Sequence, residues 1–211
     1  LTHIRHSEKV VIMKRLLLIL VLTFSFQSWT KADDIRNLEI EGISIGDSLL
    51  DFISEKYITK QINHTKDHYK YLKDPIKFRE VYIFKSNNFK TYTNVSLMFR
   101  LNDNKYKILF VRGMKNYVEN LSGCFKQRDE IAKEIESSIS NITKDVRENI
   151  SGLDESGKSI YYNTYYTLSS GDGIIIACNN WDEKLRKKNN WTEGLSVVMR
   201  TKEVGNWLQG N

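Results

Sequence analysis

The chain has 211 residues, of which 40% are hydrophobic and 27% charged, with one proline and a formal net charge of +6. One proline, with no Ser/Gly-rich linker or low-complexity tract, argues against separate domains joined by flexible linkers. Residues 1–32 hold five of the 32 Lys/Arg and one of the 26 Asp/Glu. Residues 33–211 therefore keep 27 and 25, a net +2, which argues against a nucleic-acid binder driven by overall charge.

In chain order, residues 13–32 read "MKRLLLILVLTFSFQSWTKA". Lys14 and Arg15 precede an apolar run from Leu16 to Phe26, and Ala32 offers a small residue at a cleavage position, the pattern of a secretory signal peptide. The run is shorter than the roughly 20 residues a membrane-spanning helix needs. Cleavage is expected after Ala32, leaving a mature chain that starts at Asp33 in the periplasm or outside the cell. Residues 1–12 precede the better start at Met13 and read as an over-called reading frame. Residues 33–211 have the length of a single domain.

Alternating Leu38, Ile40, Ile43 and Ile45 predict a short strand. Gly46-Asp47-Ser48 then turns into a predicted helix with Leu49, Leu50, Phe52, Ile53 and Tyr57 on its apolar face. Residues 60–75, "KQINHTKDHYKYLKDP", are polar and give no clear period. From residue 77 the period changes to two: 77–85, 91–102 and 105–114 read as strands, the last two joined at Asn102-Asp103-Asn104. Leu121, Phe125, Ile131, Ile135 and Ile139 recur at helical spacing. Strands return at 158–169, 173–181 and 194–201, the first pair joined through Ser170-Gly171-Asp172-Gly173. The order helix, three strands, helix, three strands predicts an α+β fold, an antiparallel sheet with helices on one face, and suggests two α-β-β-β halves.

Charge is unevenly spread. Residues 33–55 carry one basic and seven acidic groups, residues 56–115 fourteen and four, and residues 116–211 twelve and fourteen. Cys124 and Cys178 remain after export and read as a disulfide, the alternative being two buried thiols.

From Gly152 to Ser159 the chain matches the phosphate-cradling pattern G-x-x-x-x-G-K-S. A working phosphate loop lies between a buried strand and a helix. Here the upstream "TKDVRENI" is polar and Lys158-Ser159 opens a strand. Asp154 and Glu155 would also place negative charge where a polyanion should sit, so an ATP site is not expected, and no cofactor is implied.

His64 and His68 stand one helical turn apart, with Asp67 between them. A zinc site needs further ligands, so a solvated helix face is preferred and no metal is expected. Asp129/Glu130, Glu134/Glu136, Asp154/Glu155 and Asp182/Glu183 are the carboxylate pairs available for hydrolytic work at a defined separation. The basic middle interleaves Lys66, Lys70, Lys73, Lys77 and Arg79 with Tyr69, Tyr71 and Phe78, which suits a polyanion or a lipid headgroup, or else a solubilising face. Trp181, Trp191 and Trp207 suit a carbohydrate platform or the end of a small core.

With these segments placed, "IEGISIGDSLLDFISEKYI", "DNKYKILFVRGM", "CFKQRDEIAKEI" and "SGDGIIIACNNW" together resemble a set of small uncharacterised exported proteins of low-GC marine bacteria. That set implies no catalytic residue. The stretch "GISIGDSLLDFI" is also similar to the opening of outer-membrane assembly lipoproteins of the SmpA/OmlA type, which implies helices packed on a three-stranded sheet. Residues 13–32 lack the Cys such lipoproteins use for lipid attachment.

The sequence reading is thus an exported, disulfide-bonded α+β binding module of the cell envelope, with an envelope protein or a small ligand as partner and little membrane association. The alternatives are an envelope hydrolase using the carboxylates above, or a polyanion or lipid-headgroup binder using residues 56–115.

Overall fold

A computed structural model describes residues 34–84 and 89–210. The expected signal segment lies outside the described residues, as do residues 1–12. Asp34 caps a 3-10 turn over Ile35–Asn37 by accepting from Arg36 N. Strands β1 (Glu39–Ile40) and β2 (Ile43–Ser44) form a small hairpin. Its two turn residues, Glu41 and Gly42, both take positive φ (55° and 77°), the geometry of a type I′ turn, which follows the twist of the strands.

The helix expected to begin near Ser48 starts later. Ser48 caps only a 3-10 turn, Leu49–Asp51, and its hydroxyl also donates to Lys105 O. Ser54 caps a second start, and helix α1 runs Glu55–Thr65, into the first six residues of the 60–75 stretch that carried no clear period. Leu49 and Ile58 are buried while Leu50 and Phe52 are exposed, so the apolar cluster 49–53 is not one helical face.

The large sheet has seven strands: β3 (Phe78–Phe84), β4 (Asn94–Arg100), β5 (Phe110–Asn116), β6 (Ile142–Ile150), β7 (Ile160–Leu168), β8 (Gly173–Asn180) and β9 (Gly194–Arg200). Their spatial order is β3-β4-β5-β9-β8-β7-β6, antiparallel throughout. Two meanders, β3–β5 and β6–β9, therefore meet along one seam between β5 and β9. Helix α2 (Leu121–Ser138) connects them, α3 (Glu183–Asn189) joins β8 to β9, and α4 (Lys202–Leu208) follows β9.

One row across the sheet, Val81, Leu97, Val111, Met199, Ile174 and Tyr166, is wholly buried. It belongs to the main core with Ile35, Ile40, Ile43, Ile58 and the α2 residues Cys124, Ala132 and Ile135. The opposite face has a second, smaller core in which Val204 and Trp207 of α4 pack with Phe78, Met98, Phe110 and Val198. The antiparallel α+β architecture is as expected, whereas α4 packs on the face opposite α2.

Three local differences have physical causes. The tight 102–104 hairpin widens, since Met98 already pairs with Phe110. Residues between them bond instead to the N-terminal segment, Ile108 N to Asp47 O and Leu49 N to Tyr106 O. Strand β6 arises where the sequence reads as merely polar. It is the outermost strand and exposed along nearly its whole length, so it carries no apolar alternation. The second half thus contributes four strands rather than three. At the other edge, Tyr57 and Thr65 of α1 donate hydroxyls to the β3 carbonyls of Tyr82 (2.9 Å) and Glu80 (2.7 Å), which protects that edge from pairing.

At the seam Gly194 has φ +125°, and a Cβ there would lie 2.5 Å from Tyr117 N and 2.7 Å from Lys115 O. Both neighbours are backbone and cannot step aside. Gly194→Ala is expected to lose about 2 kcal/mol or more in urea unfolding. An unchanged midpoint would show that the strand pair can separate locally at no cost.

Candidate functional site

The second core covers only one end of its face. Beyond it the sheet floor lies open, and a cavity of about 570 Å³ occupies the space. Its floor is built by strand register: Tyr82, Ser96 and Arg112 form one cross-strand row, and Phe84, Asn94, Met114 and Ser196 the next. Asn179 of β8 extends it. Gln61 and His64 of α1, with His68, form one wall; Trp181, Asn190, Trp191 and Thr192 form the other, and Leu153 closes a corner.

Next to the floor, two positions along β3 from Tyr82 and on the same sheet face, Glu80 holds the network together. Its side chain is only 1% exposed, and its carboxylate accepts from Arg112 Nη2 (2.9 Å), Tyr69 OH (2.8 Å) and Tyr82 OH (2.9 Å). His68 Nδ1 stands 3.8 Å from it. Burial by itself pushes this carboxyl up, but the Arg112 charge and the polar groups gathered round it, the Tyr69 phenol among them, outweigh it and hold the group down at about 2. Burial and the Glu80 charge raise Tyr69 and Tyr82 above the ordinary tyrosine value, so both phenols remain donors. Burial lowers Arg112, but the Glu80 charge together with Tyr82 and Tyr69 outweighs it, so the guanidinium stays above its ordinary value.

Arg112 is also the group that faces the cavity. Nε donates to Ser96 Oγ (3.1 Å), Nη2 to Glu80, and the side chain is 29% exposed. Its Nη1 donates to no described residue. Two positions along the neighbouring strand, Asn94 Oδ1 is buried and accepts no hydrogen bond from any described residue.

The far wall is rigidly made. Trp181 and Trp191 pack with ring centroids 4.3 Å apart at 43°, and Tyr161 meets Trp181 edge-on at 5.1 Å. Trp181 Nε1 donates to Thr192 O (3.0 Å). Asp182 caps α3, and Asn190, at φ 52°, ends it in the left-handed conformation that turns the chain back to Trp191. Glu193 pairs with Arg186 (3.1 Å) and accepts from Glu119 N, fixing the return strand.

The structure brings Trp181 and Trp191 together but not Trp207, which is buried against Tyr69 and Phe78 and donates to Asp74 O. The basic segment does not converge. Lys66, Lys70, Lys73 and Lys77 are exposed, and Lys77 pairs with Glu203 at 3.5 Å. Arg79 is buried and donates Nη1 to Pro75 O and Phe78 O, Tyr69 belongs to the Glu80 network, and Tyr71 is 74% exposed with its ring 6.4 Å from that of Tyr69. His64 and His68 stand at the cavity wall with rings 6.3 Å apart. Among the described residues no three His, Cys, Asp or Glu side chains are placed to hold a metal ion.

The G-x-x-x-x-G-K-S stretch connects β6 to β7. Its Asp154 carboxylate accepts from the backbone N–H and hydroxyl of both Ser156 and Ser159. The loop donors that would cradle a phosphate thus serve the loop's own carboxylate, which those bonds hold well below its ordinary value. Of the other carboxylates, Asp182 caps a helix, Asp129 pairs with Arg128, and Glu136 bonds Lys144 and Tyr166. None of them lines the cavity.

The disulfide joins Cys124, in the first turn of α2, to Cys178 on β8, with Cα atoms 6.0 Å apart. It anchors the strand that ends just before Trp181. Among the described residues no helix is long and apolar enough to cross a membrane.

Sequence reasoning missed Glu80, Arg112 and the amides Asn94 and Asn179. The available signal was parity: Glu80 stands in register with Phe78, Tyr82 and Phe84, so a carboxylate there faces inward on a strand otherwise made for packing. Comparison of the chain with known protein families, curated proteins and solved structures gives no match.

Proposed function

We propose that this is an exported, non-catalytic binding module of the cell envelope, and that its ligand is a small molecule seated in the cavity on the open sheet face. The cavity carries the reading. Its volume of about 570 Å³ falls within the range of roughly 300–1,000 Å³ typical of small-molecule sites, and it combines aromatic walls with a few convergent polar groups. The carboxylate next to it, Glu80, does not line the cavity and is ionised, buried and engaged by Arg112 and two phenols, which suits a positioning role rather than proton transfer. Export rests on the n-h-c pattern of residues 13–32 and accords with the disulfide.

The test is thermal denaturation and tryptophan emission of the folded, disulfide-bonded protein with four probe classes: neutral sugars, sugar acids, short peptides and nucleosides. At least one class is expected to raise the midpoint and change the emission saturably. A ligand at about 100 times its Kd adds about 2.7 kcal/mol of stability. Asn179→Phe, which fills the floor, is expected to abolish both responses while keeping the fold. No saturable response to any class would overturn the reading.

A further inference from the structure

Resting on that reading, we propose that the ligand is a neutral oligosaccharide, stacked on Trp191 and Trp181 at one end of the cavity and hydrogen-bonded along the floor by Arg112, Asn94 and Asn179.

Three observations converge on this class. The first is charge. Apart from the two histidines, Arg112 is the one ionisable basic or acidic side chain among the described residues lining the cavity, and Glu80 compensates it at 2.9 Å. A carboxylate or phosphate ligand would compete with Glu80 for a guanidinium already paired, and would lose hydration without a matching net attraction.

The second is hydrogen-bonding capacity. Arg112 Nη1 is a donor with no described partner, and Asn94 Oδ1 is a buried acceptor with none. The register Ser96–Arg112 and Asn94–Met114 makes these two side chains diagonal neighbours on one face, separated at Cα by about 7–8 Å. A hydroxyl both donates and accepts, so adjacent hydroxyls of one sugar ring answer both. An apolar ligand would leave the buried Asn94 Oδ1 without a partner.

The third is shape. The tryptophan pair presents aromatic surface that suits the apolar C–H face of a pyranose ring. Tyr82 and Phe84, stacked at 13° with centroids 5.9 Å apart, line the opposite end. Four inter-strand steps of about 4.8 Å separate β3 from β8, so the floor is longer than one ring and suits a chain of them.

The experiment is calorimetric titration of the folded protein with neutral trisaccharides of glucose and of N-acetylglucosamine, at about 50 mM and about 500 mM salt. A trimer of a sugar acid and a tripeptide serve as comparisons. At least one neutral trisaccharide is expected to bind saturably, with an affinity that changes by no more than about twofold with salt. Trp191→Ala is expected to weaken it at least about tenfold. Protection of the wild-type tryptophans from acrylamide quenching by the same sugar gives a second readout that needs no variant. Binding of the acidic trimer or the tripeptide alone, or binding that falls steeply with salt, would overturn the saccharide assignment and leave the cavity reading standing. No binding by any probe, here and among the four classes above, would overturn both.

Discussion

Glu80→Gln is expected to lower the stability of the folded protein by about 3 kcal/mol at neutral pH and to flatten its acid unfolding profile. The carboxyl has a folded value of about 2 against an ordinary value of 4.5. A depressed carboxyl stabilises the fold above its unfolded value and loses that contribution as pH falls through the folded one. The effect should therefore be complete above about pH 5 and vanish towards pH 2, a window set by that shift alone. At about 1.4 kcal/mol per pH unit, the shift corresponds to about 3 kcal/mol. Removing one partner leaves Arg112 buried beside two phenols without its counter-charge, which is the costly case. Arg112→Met should be similarly destabilising, and the double variant less so than the sum of the singles. Urea unfolding from pH 2 to pH 7 tests all three. A Glu80→Gln protein within 1 kcal/mol of wild type, with the same acid slope, would show that the pair is not what holds the cavity floor.

The second large effect is expected from the disulfide. Cys124 and Cys178 are 54 positions apart, and closing a loop of that length contributes about 4 kcal/mol in the chain-entropy account. The double variant Cys124→Ala, Cys178→Ala, or the wild type under reductant, is expected to lose about that much. Because β8 leads directly into Trp181, the reduced protein should also show altered tryptophan emission. Alkylating the purified protein before reduction and weighing it tests the bond itself: two incorporated alkyl groups would refute it. A mass beginning at Asp33 from an exporting host would support the secretion proposal in the same spectrum.

The legible part of this fold was its buried part. Strands β3, β4, β5, β7, β8 and β9 announce themselves by β-branched and aromatic residues, and α2 by Leu121, Ile131 and Ile135 at helical spacing. Strand β6 and helices α3 and α4 were not legible. The first two expose most of their surface, and α4 is too short to show a period, although it places Trp207 in a core. The candidate site divides along the same line. Trp181 and Trp191 stood out as residue types, and neighbouring turns bring them together. Glu80 and Arg112 lie on strands with β4 between them, and their contact depends on a register that no local pattern states. The basic segment misleads for the converse reason. Its residues are adjacent in sequence, yet the chain buries Arg79 and Phe78 and half-buries Tyr69 while leaving the lysines outside.

The single seam between β5 and β9 also bears on how the molecule assembles. Each meander closes through contacts between neighbours in sequence, which form early, whereas the seam pairs residues 110–116 with 194–200 and must wait for nearly the whole chain. The disulfide lies entirely on one side of that seam, since α2 and β8 both belong with the second meander. It can therefore lock the later half before docking, but it cannot hold the halves together. Ser96 and Arg112 stand on one side of the seam, Ser196, Asn179 and the tryptophans on the other. The cavity is thus complete only when the seam has formed, and a ligand that bridges both sides would favour the docked state over the open one by mass action.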